Sequence, residues 1–423
     1  MLKLISARYV FPVSAEPITD GAVAIEDERI LAVGPASALA GRYPSSQRRD
    51  LGAAILLPAA INAHTHLELT ALEGVIPEGL DMAAWILALL RTRSTLDMPA
   101  LRAAAEDGVR RSLAAGVAAV GEICTAGQSV RPIIESGLRG VVYYELLNGD
   151  PAQADETLAR GQAQIARWRE EYPGARVRFG LSLHAPYTVS RPLFERTAAW
   201  SRAEGVPLSI HAAESPAETQ WLLDRTGPIR DTLYAGIGRP ADLEAAPGLS
   251  PVRYLSAVGA LSHDTLLAHG VQVDAADLAL VAHSGAAVAH CPRSNTRLLN
   301  GRLPWAAYRA ADVRLALGTD SLASSPSLSI WDEAAYALAL HAQAGEGPTP
   351  TELLRLATLD GADALGIAHD LGSLEAGKLA RLAWAPLIER NGPSHAQYAQ
   401  YETPEQALSA LISGALQPRA LEQ

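Results

Sequence analysis

Histidines and an aspartate follow several short apolar segments of this 423-residue sequence. His64 and His66 follow the first segment, and alternate residues of a strand point to one side, so both imidazoles can reach one ion. His211 and Asp320 follow later segments. Three imidazoles and one carboxylate leave an open position on the metal, as catalytic rather than structural sites do. The metal ligands predicted from this pattern are His64, His66, His211 and Asp320.

Three groups, one of them the ligand Asp320, are predicted to act on the water or to move protons. A metal ion lowers the pKa of bound water toward about 7, which makes hydroxide available at neutral pH. Asp320 can take the proton of this water, and Glu214 can pass a proton to a leaving group or a ring nitrogen. His269 is either a further ligand or an acid that orients the water, and we favour the second role because four ligands are already assigned. The alternative for Glu214 is an ordinary surface carboxylate.

Two more polar residues end apolar segments and are predicted, together with Glu214, to contact the substrate. These residues are Glu145 and His184. A solvated strand-end carboxylate is the alternative for Glu145, and a structural role is the alternative for His184. A two-metal site usually has a lysine or an acid at the end of the fourth strand, where this sequence has His184. The sequence therefore predicts one metal ion per chain.

The apolar segments themselves define the fold that positions these side chains. Eight of them are separated by roughly 20 to 60 residues, which is enough for a crossover helix each time. Eight such units predict an α/β fold, a (β/α)8 TIM barrel with its chemistry at the carboxyl ends of the strands. The predicted strands are Ala53–Ile61, Gly116–Val120, Gly140–Tyr144, Val177–Leu183, Val206–Ile210, Thr265–Ala268, Gly285–Ala289 and Val313–Gly318.

The two ends of the chain show a different pattern. Segments Leu2–Val10 and Gly21–Val33 alternate as strands do, and an apolar segment, Leu379–Trp384, lies near the other end. We predict one small β-sandwich domain built from both termini. The predicted domain limits are residues 1–56 and 372–423 for this domain and residues 57–371 for the catalytic barrel.

Composition limits the partners. The chain has 35 lysines and arginines against 46 aspartates and glutamates, a net charge of −11, which argues against binding nucleic acid or an anionic membrane. Two cysteines cannot form a disulfide framework, and no signal peptide or membrane-spanning segment is recognised. We predict a cytoplasmic protein that acts on a small molecule. The oligomeric state is left open, with a homodimer as one option.

Taken together, the motifs resemble the amidohydrolase superfamily, in its branch of deaminases and chlorohydrolases. The resemblance covers nearly the whole chain, and the motifs that carry it are Pro58 with residues 62–69, then residues 211–214, 267–270, 290–295, 318–324 and 372–378. The combination is most similar to the aminodeoxyfutalosine deaminases. This resemblance implies one Zn²⁺ per chain, with Fe²⁺ as an alternative, on the four ligands given above. It also implies that Glu214 and His269 act on the water and the substrate.

The implied reaction is hydrolytic deamination of an adenine-nucleoside-like substrate. The resemblance favours 6-amino-6-deoxyfutalosine, an intermediate of menaquinone biosynthesis, which would yield futalosine and ammonia. Relatives of the adenosine type carry an acid where this sequence has Ser94, whereas Arg91 and Arg93 lie close by and suit a substrate carboxylate. A solvated helix face is the alternative for these arginines. Alternative functions are a methylthioadenosine/S-adenosylhomocysteine or other aminopurine deaminase, a chlorohydrolase, and a non-catalytic barrel scaffold.

Overall fold

The computed structural model describes residues 1–241, 243–345, 347–390, 396–398 and 401–421. Its strands, in chain order, are β1 (Leu2–Val10), β2 (Ile18–Glu26), β3 (Arg29–Pro35), β4 (Gln47–Asp50), β5 (Ala54–Pro58), β6 (Ala60–Thr65), β7 (Val117–Cys124), β8 (Arg139–Leu146), β9 (Val177–Leu183), β10 (Leu208–Ala212), β11 (Thr265–His269), β12 (Ala287–His290), β13 (Arg314–Leu317), β14 (Leu382–Pro386), β15 (Ile388–Arg390), β16 (Ala396–Tyr398) and β17 (Arg419–Ala420).

Fifteen α-helices lie in the described part of the chain, with two 3₁₀-helices at Leu67–Leu72 and Pro151–Gln153 and a π-helix at Ile229–Tyr234. The α-helices are α1 (Ala36–Arg42), α2 (Met82–Arg93), α3 (Met98–Ala114), α4 (Val130–Ser136), α5 (Ala154–Glu171), α6 (Arg191–Glu204), α7 (Pro216–Asp224), α8 (Pro251–Ala257), α9 (Ala275–Ser284), α10 (Pro292–Arg297), α11 (Trp305–Ala310), α12 (Ile330–Ala342), α13 (Pro350–Ala357), α14 (Leu359–Ala364) and α15 (Pro404–Ile412).

Strands β6 to β13 form one eight-stranded sheet in the order of the sequence. The strands pair in parallel from β8 through β13. A parallel bridge between Thr65 and Asp320 joins the first strand to the segment after the last one, so the sheet is nearly closed. Every residue of β6, β7, β10, β11 and β12 is buried, as expected for parallel strands covered on both faces. The predicted (β/α)8 barrel is confirmed.

The second sheet has seven strands and is built from both ends of the chain, as predicted. Its order is β17-β14-β5-β1-β2-β3, with β4 beside β1. Strand β1 is antiparallel to β2 and parallel to β4 and β5, which makes the sheet mixed. The buried side chains of this unit come from early and late residues, among them Ile5, Val23, Leu56 and Leu382.

One predicted strand is two strands in the structure. The apolar segment Ala53–Ile61 contains β5, which belongs to the terminal sheet, and β6, which is the first barrel strand. Between them, the N–H of Ala59 donates to the carbonyl of Arg381 at 2.9 Å. Pro58 has no N–H to offer a ladder, and such residues are found where strands begin or end. Burial of both strands keeps the sequence continuously apolar and hides the break.

Backbone contacts divide the chain into two compact units. The first comprises Met1–Asn62, Arg111–Ala119 and Ser329–Gln423, and the second comprises Ala63–Arg110 and Val120–Leu328. The predicted domain limits at residues 56 and 371 stay a prediction. Within the described residues, every helix is too short or too polar to cross a membrane.

Candidate active site

The carboxyl ends of the barrel strands bring the predicted site residues to one cavity of about 210 Å³. His211 lies within β10, and His269 ends β11. His64 is fully buried beside the cavity residues, and its ring lies 5.0 Å from that of His66 and 4.8 Å from that of His211. The predicted site residues that line the cavity are His66, Glu145, His184, His211, Glu214, His269 and Asp320.

The four predicted metal ligands form a compact cluster. Ligand atoms of His64, His66 and Asp320 lie within 4.8 Å of one another, and the same holds for His64, His211 and His269. The Nε2 atoms of His66 and His211 are 3.3 Å apart. Oδ1 of Asp320 lies 3.4 Å from Nε2 of His66 and 3.8 Å from Nε2 of His64. Nitrogen and oxygen donors therefore converge as a metal ion requires.

In His211 and His269, a hydrogen bond donated by Nδ1 determines that Nε2 is the nitrogen without a proton. Nδ1 of His211 lies 2.9 Å from the carbonyl oxygen of His184, so it donates and leaves Nε2 without a proton. Nδ1 of His269 lies 2.8 Å from Oδ1 of Asn295 and is held in the same way. In the described part of the chain, neither ring nitrogen of the buried His64 has a hydrogen-bond partner. An orphaned buried imidazole beside oriented ones fits a metal ion.

The histidines of the cluster are neutral near pH 7. Burial lowers the pKa of His64, His66, His211 and His269, because the charged form loses its hydration. Burial also lowers the pKa of His184 to about 4. Neutral imidazole is the form that binds metal ions.

Asp320 is held as a carboxylate by its surroundings. Burial alone would raise its pKa, but His66, His269 and His64 and a hydrogen bond from Ser294 outweigh this and lower the pKa to about 2. The hydroxyls of Ser294 and Ser324 donate to Oδ2 at 2.6 and 2.7 Å, which leaves Oδ1 toward the histidines. The backbone of Asp320 has a φ of +58°. This strained turn is of the kind that functional sites retain.

Glu214 is placed as a buried acid next to His269. Oε1 of Glu214 lies 3.6 Å from Nε2 of His269 and accepts a hydrogen bond from Nδ2 of Asn300 at 3.0 Å. Burial, together with the charges of Asp320 and Glu218, raises the pKa of Glu214 well above its usual value. Burial therefore favours the protonated form of Glu214, which can donate a proton into the cavity. The alternative of a surface carboxylate does not fit a side chain that is 3% exposed.

A second glutamate, which the sequence analysis did not identify, holds the turn that carries Glu214. The carboxylate of Glu218 accepts the N–H of Glu214 at 2.8 Å and that of Ala213 at 3.2 Å. Ala213 has a φ of +52°, so these hydrogen bonds support a strained backbone. Burial raises the pKa of Glu218 to about 7. The only sequence signal is Ser215, whose side chain caps α7 by accepting the N–H of Glu218.

Glu145 and His184 both line the cavity and can offer polar contacts. Oε2 of Glu145 accepts a hydrogen bond from Thr125 at 2.8 Å, and burial raises the pKa of Glu145. Its Oε1 is buried and has no partner among the described residues. Nδ1 of His184 lies 2.7 Å from the hydroxyl of Thr188. By contrast, Glu122 does not line the cavity, because its carboxylate accepts the backbone N–H of Leu67 at 2.9 Å.

Helix α2 gives the cavity an apolar wall and one arginine. Trp85 and Ile86 belong to this wall, and Arg93, in the last turn of the helix, lines the cavity. Nε of Arg93 is buried and lacks a hydrogen-bond partner among the described residues. Arg91 is exposed and does not line the cavity, and the exposed Ser94 donates its hydroxyl to the carbonyl of Arg91. The structure therefore separates the two arginines that the sequence left as equals.

Comparison with known proteins agrees with this geometry. The model of the amidohydrolase family matches residues 55–400, and that of a bacterial imidazolonepropionase-like composite domain matches residues 21–45. An aminodeoxyfutalosine deaminase of Deinococcus radiodurans is 36% identical over 358 residues, which cover 82% of this chain and 81% of the relative. The chain belongs to the amidohydrolase family.

Two further relatives extend the comparison. A 5-methylthioadenosine/S-adenosylhomocysteine deaminase of Moorella thermoacetica is 29% identical over 90% of this chain and 84% of the relative. The crystal structure of an adenosine deaminase from Xanthomonas campestris with bound zinc is 27% identical, with a TM-score of 0.79 over 97% of this chain and 88% of that one. This chain is a metal-dependent hydrolase that acts on C–N bonds.

The cluster predicts that His64 is needed to hold the metal. We expect His64→Ala to remove most of the roughly one divalent ion per chain, because the substitution deletes one of the four donors that converge on the site. The measurement is elemental analysis of protein purified without chelator, with His283→Ala, which changes an exposed histidine of α9, as the control. Equal metal content in both variants and the wild type would contradict the assignment.

Proposed function

We propose that this chain catalyses the hydrolytic deamination of an adenine nucleoside, with 6-amino-6-deoxyfutalosine as its substrate and futalosine and ammonia as products. The observation that carries the reaction type is the buried Glu214, which lies 3.6 Å from His269 and next to the cluster of buried imidazoles and a carboxylate. The proposal for the substrate is supported by the 36% identical aminodeoxyfutalosine deaminase and by an arginine in the cavity. The reaction would belong to menaquinone biosynthesis.

The donor set supports zinc as the metal. His64, His66, His211 and Asp320 would hold one Zn²⁺, with Fe²⁺ as an alternative that takes the same nitrogen and oxygen ligands. The Xanthomonas campestris adenosine deaminase, whose structure carries zinc, supports the choice. When bound, the ion lowers the pKa of water so that hydroxide is available at neutral pH.

The proton movements follow from the protonation states of three side chains. Glu214, whose protonated form is favoured by burial, donates a proton to the ring nitrogen next to C6, which makes that carbon more electrophilic. The carboxylate of Asp320 accepts the proton of the attacking water. His269, neutral and oriented by Asn295, faces Glu214 and orients the water. The proton that Asp320 accepted passes to the amino group, the C–N bond breaks and ammonia leaves. The hydroxyl now on C6 returns a proton to Glu214 as it becomes a carbonyl, so the oxygen of water stays on C6 and the ring nitrogen keeps the proton from Glu214.

The cavity walls suit an adenine nucleoside with an acidic group at its other end. His184 and Glu145 offer hydrogen-bonding groups, and the apolar side chains of α2 can cover a ring. Arg93 lines the same cavity with a guanidinium that can bind a carboxylate in a two-pronged manner. The second candidate is a methylthioadenosine/S-adenosylhomocysteine deaminase, which the Moorella thermoacetica relative favours.

Replacement of Glu214 tests the proton transfer. Glu214→Gln keeps the size and the hydrogen bond with Asn300 but cannot carry a proton, so kcat should fall by at least about 100-fold. Stopped assays of ammonia release give kcat, and elemental analysis shows whether the metal is retained. A variant that keeps its metal and runs near the wild-type rate would show that Glu214 does not take part.

The substrate is tested by comparing three nucleosides. We expect kcat/KM to be highest for aminodeoxyfutalosine, above adenosine and methylthioadenosine, which share the ring but lack the carboxylate. Arg93→Gln should narrow this preference by roughly 1–3 kcal/mol, the scale of a lost hydrogen bond to a charged group, whereas Arg91→Gln should leave it unchanged. The absorbance change from adenine to hypoxanthine reports each rate. If either neutral nucleoside matches aminodeoxyfutalosine, the substrate assignment is wrong and only the deaminase class remains.

A further inference from the structure

A second arginine lines the cavity at a place that no sequence motif marks. Arg239 follows the π-helix Ile229–Tyr234 and is half-buried. Its backbone N–H donates to the carbonyl of Tyr234 at 2.9 Å, which closes the turn. The guanidinium carbon lies 5.5 Å from the centre of the Tyr234 ring, within the range of a cation–π contact. The side chain of Arg239 is therefore held by its neighbours.

The ring of Tyr234, against which Arg239 packs, is itself held in place by neighbouring residues. This ring also lines the cavity, and its hydroxyl donates to the carbonyl of Tyr187, another lining residue, at 2.5 Å. The ring of Trp221, in α7, lies 4.6 Å from that of Tyr234, in the π-helix. A guanidinium stacked on such a fixed ring loses little freedom when it binds a ligand.

The cavity has a polar, buried end and an apolar, exposed end. His66, His211 and Asp320 are at most 8% exposed. Three lining residues, Leu90, Leu147 and Ile237, are instead 37%, 39% and 44% exposed and mark the mouth. Ile237 lies two residues before Arg239. The part of a ligand that reaches the mouth therefore meets apolar side chains and a positive charge together.

The charge of this arginine is not balanced within the described part of the chain. No ion pair of Arg239 or of Arg93 with a described carboxylate is found there, although the protein has a net charge of −11. By comparison, the partly buried Arg297 pairs with Glu78 at 3.2 Å and the half-exposed Arg253 pairs with Asp274 at 2.6 Å. Arg93 acts electrostatically on Glu145, whereas Arg239 pairs with no carboxylate among the described residues. A guanidinium in this position is suited to bind an anionic group of a ligand.

We propose that Arg239 determines specificity by binding the acidic group of the substrate at the cavity mouth. The groups that act on the purine ring lie at the other, buried end of the cavity. The substrate class is a purine nucleoside whose sugar carries an apolar arm that ends in a carboxylate. This inference rests on the proposed function, and it adds a second guanidinium to Arg93. Arg239 touches the substrate far from the reacting carbon, so its loss raises KM and leaves kcat nearly unchanged.

The test compares Arg239→Gln with Arg230→Gln, which changes an exposed arginine of the π-helix that does not line the cavity. Each variant is assayed with aminodeoxyfutalosine, with S-adenosylhomocysteine and with the neutral methylthioadenosine. We expect Arg239→Gln to lower kcat/KM for the carboxylate-bearing substrates by about 10- to 100-fold, mainly through KM, and by less than about threefold for the neutral one. The neutral substrate also reports whether the variant folds. Arg239→Lys should recover part of the loss, since it keeps the charge without the fork.

The outcomes separate this inference from the proposed function. Equal losses on the neutral and the acidic substrates, or no loss on any, overturn the role of Arg239 and leave the proposed function intact. If the wild type prefers S-adenosylhomocysteine and only Arg239→Gln loses this preference, the proposed substrate is wrong and the role of Arg239 in binding a carboxylate is supported. A wild-type preference for methylthioadenosine overturns both.

Discussion

The site depends on keeping ionisable side chains out of water at one end of the barrel. Burial disfavours the charged form of each imidazole and raises the pKa of each carboxyl group that lacks compensation. Asp320 is the exception, because two serine hydroxyls and the surrounding histidines hold it as an anion. Within one cavity, burial therefore favours neutral imidazoles and a protonated Glu214, whereas Asp320 stays a carboxylate, and the proposed chemistry uses this difference in protonation.

Other buried carboxylates hold the backbone around this pocket rather than facing it. Glu68 accepts the N–H groups of Thr125, Ala126 and Gln128, at 3.2, 2.8 and 2.6 Å, which fixes the loop after β7. Glu122 holds the N–H of the residue that follows His66, and Glu218 holds the turn of Glu214. Each replaces water as the acceptor for loop N–H groups that would otherwise be buried without a partner. The geometry of the site thus depends on residues that do not touch the cavity.

The barrel and the cluster of histidines with Asp320 could be predicted from the sequence because both depend on local patterns. Each barrel strand is a short apolar segment, and polar residues follow it where the strands open. The break between β5 and β6 was not detected from the sequence, because both strands are buried and their sequence is continuously apolar. Ser324 lies only four residues after Asp320, but Ser294 follows the neighbouring strand β12, so its hydrogen bond to Asp320 could not be predicted without the fold.

The arginines show a second limit of sequence patterns. Residues two apart on a helix point to nearly opposite sides, so the spacing of Arg91 and Arg93 shows that only one faces the cavity but not which one. Arg239 follows a π-helix, which is a rare element, and no apolar pattern in the sequence predicted it. Side chains that bind the outer part of a ligand commonly lie on such irregular segments.

The central claim is that one metal ion lies among the four buried ligands, and anomalous X-ray scattering at the zinc absorption edge tests it most directly. Crystals of protein purified without chelator should show a single peak in contact with His64, His66, His211 and Asp320. No peak there would contradict the account. So would a second peak among Glu145, His184 and His211, whose ligand atoms also lie within 4.8 Å of one another, because the site would then hold two ions.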